Sequence, residues 1–158
     1  MNFTRLNSYT RAAEQACRLY LWDARQTISL LHLSENATFC VTDPDSGKVQ
    51  GIMRVSRGGY HSVGEIGAEL QWLLRLRSQD GVKTVYPIPN RQGMPMTLAE
   101  EGGRRYVCVA FPYLEGSHPE LRDTAAACED FRRTGQIAAL LHQDAMEWAQ
   151  SRKLNRPR

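Results

Sequence analysis

The spacing of apolar and polar positions changes along the chain, and each change marks an element. Residues 8–24 read as a helix, because Ala12, Ala13 and Ala16 favour helix and Leu19, Tyr20 and Trp22 give it an apolar end. Thr27–Leu33 is short, apolar and partly β-branched, the pattern of a strand. Ser34-Glu35-Asn36 then reads as a turn, Thr38–Thr42 as a second strand and Lys48–Ser56 as a third. Between the last two, Asp43-Pro44-Asp45-Ser46-Gly47 is a strong turn signal, since proline presets φ and glycine accepts positive φ.

The period lengthens after Gly58-Gly59. Ser62-Val63-Gly64-Glu65 has the spacing of a capping box, and the helix behind it should run to about Arg77 and stop at Asp80-Gly81. Its apolar stripe is Ile66, Leu70, Leu73 and Leu74. Val82–Ile88 reads as a short or edge strand, cut by Pro87 and Pro89. Met94–Ala99 and Arg104–Phe111 read as strands, with Gly102-Gly103 as a tight hairpin turn between them. Pro112 to Gly116 breaks the pattern. From Leu121 to Trp148 apolar residues recur every three or four positions, which predicts a long helix. The order of elements is that of an α+β fold: about five strands in a mostly antiparallel sheet with a helix across it. The 112–120 connector, where the period shifts from two to 3.6, is the candidate domain boundary.

Composition narrows the class only slightly. With 42% hydrophobic and 23% charged residues in 158 positions, the chain is an ordinary globular domain with room for a core. No apolar run approaches a bilayer span, and Met1 to Tyr9 lacks a signal-peptide pattern, so a cytoplasmic protein without membrane association is expected. The net charge of +3 is mild, and Arg152, Lys153, Arg156 and Arg158 gather the basic excess in a tail that reads as solvated rather than as a specific nucleic-acid site. Cys17, Cys40, Cys108 and Cys128 form no ligand spacing and read as reduced thiols. His32, His61 and His118 are scattered, so no metal site is expected. His142 reads as a helix-edge histidine.

One residue is out of place chemically. Glu69 leans toward the apolar stripe of its helix, and a carboxylate taken from water needs a partner. Arg54, in Ile52-Met53-Arg54-Val55 on the preceding strand, could supply it; an unremarkable surface glutamate at the edge of the stripe is the alternative. A strand-borne cation paired with a helix-borne glutamate is how kinases hold nucleotide phosphates, and arginine keeps the charge and the contact while changing shape and reach. The 34–38 turn falls where kinases place a phosphate-covering loop. It has no glycine, and a plain hairpin turn would look the same. The break at Cys108 to Gly116 could present backbone groups to an adenine edge, or be a simple linker.

In order and spacing, several segments together resemble the aminoglycoside phosphotransferase and choline kinase superfamily, nearest its homoserine-kinase-like members. They are Ser34-Glu35-Asn36-Ala37-Thr38-Phe39, Ile52-Met53-Arg54-Val55-Ser56-Arg57-Gly58-Gly59-Tyr60, Ile66-Gly67-Ala68-Glu69-Leu70-Gln71-Trp72-Leu73, Phe111-Pro112-Tyr113-Leu114-Glu115-Gly116 and Gly135-Gln136-Ile137-Ala138-Ala139-Leu140-Leu141-His142. The resemblance implies a kinase-like N-terminal lobe over 27–111, behind a helical segment at 1–26. A hinge at 112–120 would follow, then the first long helix of a truncated C-terminal lobe over 121–158. It implies a cofactor-binding set of Glu35, Asn36, Ala37 and Thr38 over the phosphates, Arg54 with Glu69 behind it, and Ala110, Phe111, Tyr113 and Leu114 at the adenine hinge.

The implied cofactors are ATP and Mg2+, and the acceptor is a small hydroxyl compound such as an aminoglycoside, homoserine or a choline-like alcohol. The family's catalytic aspartate sits in a His-Gly-Asp loop that does not occur in the 158 residues, and the Mg2+ ligands come later still. No catalytic residue is therefore expected here, and the chain by itself is expected to be inactive. A non-catalytic nucleotide-binding or regulatory module derived from the lobe is the alternative. The long helix has apolar residues on several sides, so exposed surface and self-association through it are expected.

Overall fold

The computed structural model describes residues 3–22, 25–78, 82–116 and 124–148. The elements are α1 (Phe3–Cys17), β1 (Thr27–Leu33), β2 (Asn36–Thr42), β3 (Val49–Ser56), α2 (Val63–Arg77), β4 (Thr97–Glu101), β5 (Arg104–Phe111) and α3 (Thr124–Glu147). The strands form one five-stranded sheet in the order β1-β2-β3-β5-β4, with every neighbouring pair antiparallel. The α+β lobe expected from the sequence is therefore present, with a helix on the sheet and a long helix after it.

The two faces of the sheet are packed differently. On one face Ala37, Phe39, Val41, Met53, Val55, Tyr106, Cys108 and Ala110 meet Tyr9, Ala12, Ala13, Ala16 and Cys17 of α1 in the larger core. The three alanines let the α1 backbone sit close to the sheet, and Tyr9 meets Tyr106 edge to face at 5.6 Å. The segment ahead of β1 is thus part of the sheet's own core. The other face is smaller: Val107, Val109 and Phe111 with Ile66 and Leu70 of α2, flanked by Ile52, Leu73, Val85 and Met96. Here α2 stands off from the sheet on long side chains.

Local chemistry explains most of the boundaries. Ser62 caps α2: its hydroxyl accepts from the Glu65 N–H at 3.2 Å, and the Glu65 carboxylate accepts from the Ser62 N–H at 2.6 Å. Gly102 and Gly103 both take positive φ, 58° and 72°, as the β4–β5 hairpin turn requires.

Three expectations need correction. The first helix ends at Cys17, because Leu19 and Tyr20 turn back through N–H bonds to the Ala16 and Cys17 carbonyls. That turn stacks Tyr20 on Trp22 at 4.9 Å, and Arg91 holds it through the Leu19 and Tyr20 carbonyls. The apolar cluster at 19–22 is therefore a plug and not a helical stripe. Secondly, 82–88 is no strand. Between Pro87 and Pro89, neither of which has an N–H, Ile88 alone donates, to Ala110 at 2.8 Å, as an isolated bridge. Thirdly, Leu74 is exposed, and the buried residues of α2 are Ile66, Ala68, Leu70 and Leu76.

The long helix is present over 124–147 and is mostly solvated. Phe131 is 69% exposed, and Ile137, Leu140 and Met146 are exposed as well, as its sequence pattern led one to expect. On its polar side Glu129 accepts from Arg132 and Arg133, which hold its carboxyl below the usual range. The expected positions at 23–24, 80–81, 117–123 and in the basic tail at 149–158 lie outside the described residues. No helix among the described residues is long and apolar enough to cross a membrane.

Candidate functional site

The site grows from β3. Strand residues alternate between faces, so Met53 and Val55 point into the α1 core while Ile52 and Arg54 point toward α2. Arg54 reaches Glu69 on α2 through two bonds, Nη1 to Oε1 at 2.7 Å and Nη2 to Oε2 at 3.1 Å. This is the bidentate fork of a charge-assisted pair, with the side chains 20% and 34% exposed. The partner that Glu69 required is therefore Arg54. The guanidinium carbon also lies 5.2 Å from the centre of the Phe111 ring, a cation–π contact from the end of β5.

The β2–β3 register sets Thr38 opposite Arg54, Ala37 opposite Val55 and Asn36 opposite Ser56. Asn36, Thr38 and Arg54 thus share the α2 side of the sheet, whereas Ala37 is fully buried in the α1 core. Among the described residues, the buried polar atoms without a hydrogen-bond partner include Nε of Arg54 and Oδ1 of Asn36. Such atoms are uncommon in a folded interior and fit a site that receives a polar ligand.

Glu35 sits in the exposed β1–β2 turn, where its carboxylate accepts from the Tyr60 hydroxyl. That bond, and then the carboxylate's charge, push the Tyr60 pKa up. Tyr60 in turn lies edge to face with His61 at 4.6 Å and under Arg57 at 5.9 Å. The 57–61 connection therefore leans on the turn that precedes β2.

The structure separates the hinge residues. Ala110 is buried toward α1, and its carbonyl is taken by the Ile88 N–H. Phe111 closes the second core beside Arg54. Tyr113 and Leu114 are exposed, in a 112–116 stretch that belongs to no strand or helix. His142 is exposed on α3. Among the described residues no group of three or more His, Cys, Asp or Glu side chains converges to hold a metal.

Sequence reasoning missed one junction. Asp144 is 4% exposed and the only buried residue of α3. Its Oδ2 accepts from Trp72 Nε1 at 2.9 Å, and its Oδ1 accepts from Arg75 Nε at 2.9 Å and Arg75 Nη2 at 2.8 Å. The available signal was a carboxylate three positions after Leu141, next to the apolar stripe, the same anomaly that drew attention to Glu69.

No family model matches the chain. It is 37% identical over 102 residues to an uncharacterized protein of Deinococcus radiodurans, which covers 63% of this chain and 28% of that protein. Among solved structures it is similar to a microcompartment-associated aminopropanol kinase, with a TM-score of 0.78 and 31% identity over 94% of this chain. An amicoumacin kinase solved with AMP-PNP and Ca2+ aligns over 73% of this chain at 19% identity and a TM-score of 0.49. The chain spans 44% of the aminopropanol kinase, less than half its length. In fold and in sequence, the chain is similar to the N-terminal portion of small-molecule kinases of the aminoglycoside phosphotransferase type.

Proposed function

We propose that this chain is the ATP-binding lobe of a small-molecule kinase that transfers the γ-phosphate of ATP to a hydroxyl acceptor. The observation that carries the reading is the bidentate Arg54–Glu69 pair between β3 and α2. It is the arrangement that positions a cation for nucleotide phosphates, with a second charge fixing its direction. The unpartnered Arg54 Nε and Asn36 Oδ1 support a polar ligand on the same side of the sheet. In this reading Arg54 contacts phosphate and Glu69 orients it. Glu35, Asn36 and Thr38 line the turn above, with Ala37 contributing backbone only. Phe111, Tyr113 and Leu114 border the base, and Ala110 shapes the hinge from within the sheet.

When bound, ATP supplies the phosphoryl group, and Mg2+ neutralises the charge on its phosphates. We assign the metal ligands, the acceptor pocket and the general base to residues outside this lobe, since the aligned kinase is more than twice as long. The acceptor is a small hydroxyl compound. An amino alcohol of the aminopropanol kind joins aminoglycosides, homoserine and choline-like alcohols as the class to test, on the likeness to the aminopropanol kinase. The protein acts in the cytoplasm in this reading, without a membrane.

Alone, the lobe should bind ATP weakly, at about millimolar Kd, or roughly 4 kcal/mol, because half a cleft leaves the phosphates screened by water. The test is an ATP titration followed by NMR, and incubation with labelled ATP, Mg2+ and an acceptor panel. Binding that disappears on Arg54→Ala, with no labelled product, is the expected result. Turnover by the 158-residue chain that survives repurification and is lost in Arg54→Ala would refute the division of labour. ATP binding indifferent to Arg54→Ala would refute the site.

A further inference from the structure

We propose that Asp144 is a positioning residue that clamps α2 to α3 and thereby holds Glu69 against Arg54. The inference rests on the reading of Arg54 as a phosphate ligand, and it extends that reading to the contact between the lobe and the long helix.

The geometry is that of one helix held from two sides. On α2, Ile66, Leu70 and Leu73 form the row that faces the sheet. Trp72 and Arg75, one turn apart, form a second row, and both donate to Asp144. With about 100° between successive residues, Glu69 falls between the two rows. Its direction therefore depends on the rotation of α2 about its own axis.

The sheet-facing row alone restrains that rotation poorly. It is a small apolar cluster, α2 stands off from the strands, and apolar contacts are not directional. The Asp144 contacts are directional and partly buried. One carboxylate receives three donors from two α2 side chains, at 2.8 to 2.9 Å. Breaking them is costly at a buried position, because removing one partner strands the other charge. Asp144 is also the one fully buried position of a mostly exposed helix, and polar bonds cross the seam between α2 and α3 there. A polar seam that fixes rotation can be loosened without unfolding either helix. Any shift of α3 is then felt at Glu69, one turn from Trp72.

The test uses the full chain with Asp144→Asn, which keeps size and removes charge, and Trp72→Phe, which removes a single donor and leaves Arg75 with Asp144. Amide hydrogen exchange across 63–77 reads the clamp directly, and an ATP titration reads its consequence. We expect about tenfold faster exchange of the α2 amides in Asp144→Asn, and a smaller increase in Trp72→Phe, with the sheet amides unchanged. ATP binding should weaken by roughly three- to tenfold in Asp144→Asn. If Asp144→Asn fails to fold, Trp72→Phe carries the test by the same two readouts.

Unchanged α2 exchange in a folded variant would overturn the clamp even if ATP binds. Faster α2 exchange with unaltered ATP affinity would overturn its link to the site. Wild-type chain showing no Arg54-dependent ATP binding would overturn the nucleotide reading and the link together, while the exchange data would still decide the clamp.

Discussion

Replacing Glu69 by alanine removes both acceptors from a guanidinium that is 20% exposed and whose Nε already lacks a partner. At an effective dielectric of about 20, two unit charges near 4 Å attract by about 4 kcal/mol. Desolvation of both groups and the ordering of two long side chains cancel most of that. Exposed pairs come out at about 0–1 kcal/mol net, while breaking a buried pair costs about 3–5 kcal/mol. With side chains 20% and 34% exposed, this pair lies between those limits. We expect Glu69→Ala to cost about 1.5 kcal/mol and the pairwise coupling to be about 1 kcal/mol. The assay is a double-mutant cycle of Glu69→Ala and Arg54→Met followed by urea unfolding. At a slope of about 2 kcal/mol per molar urea, Glu69→Ala should shift the midpoint by about 0.7 M. In the Arg54→Met background the same substitution should cost far less, since no stranded cation remains. A coupling below about 0.3 kcal/mol would refute the claim that the pair is a partly buried, mutually required contact.

Four further outcomes follow from particular contacts. Gly51→Ala should destabilise by about 2 kcal/mol, because its Cβ would lie 2.9 Å from both the Phe111 carbonyl oxygen and the Trp22 ring; a midpoint within error of wild type would count against this packing. Alkylation at pH 8 should label Cys128 rapidly and leave Cys17 and Cys108 intact, since burial pushes both thiols up to about 12. Their folded pKa lies above the unfolded value of 9.0, so their stabilising effect is complete below pH 9.0 and is lost as pH climbs toward about 12; a flat alkaline limb in unfolding would contradict it. The Glu65 carboxyl is held low, first by the Ser62 backbone N–H, so its contribution is present above the unfolded value of 4.5 and falls away as pH drops through the folded one. Ser62→Ala should cost about 1 kcal/mol and weaken that acid dependence only in part, because the backbone N–H at position 62 remains, as followed by circular dichroism.

What the sequence determined by itself is local. Ser62 and Glu65 cap their helix through bonds that span three residues, and Gly102-Gly103 is a hairpin turn wherever it lies. The short strand-like runs of β1, β2, β3 and β5 are likewise a property of neighbouring residues, and so is the anomaly of Glu69 beside an apolar stripe. The superfamily resemblance rested on the same local segments, spaced along the chain. Long-range contacts decided the rest. Leu19, Tyr20 and Trp22 looked like a helix end until Arg91 and the α1 core drew them into a turn. Ile88 sits between prolines, and only the open carbonyl of Ala110 gives it a place. Asp144 beside its apolar stripe signals at most that a partner is needed; which partner is not legible locally, since its donors lie 72 and 69 positions away. Burial of a polar group becomes tolerable only when a partner arrives from elsewhere in the chain, and that meeting is a product of the tertiary fold.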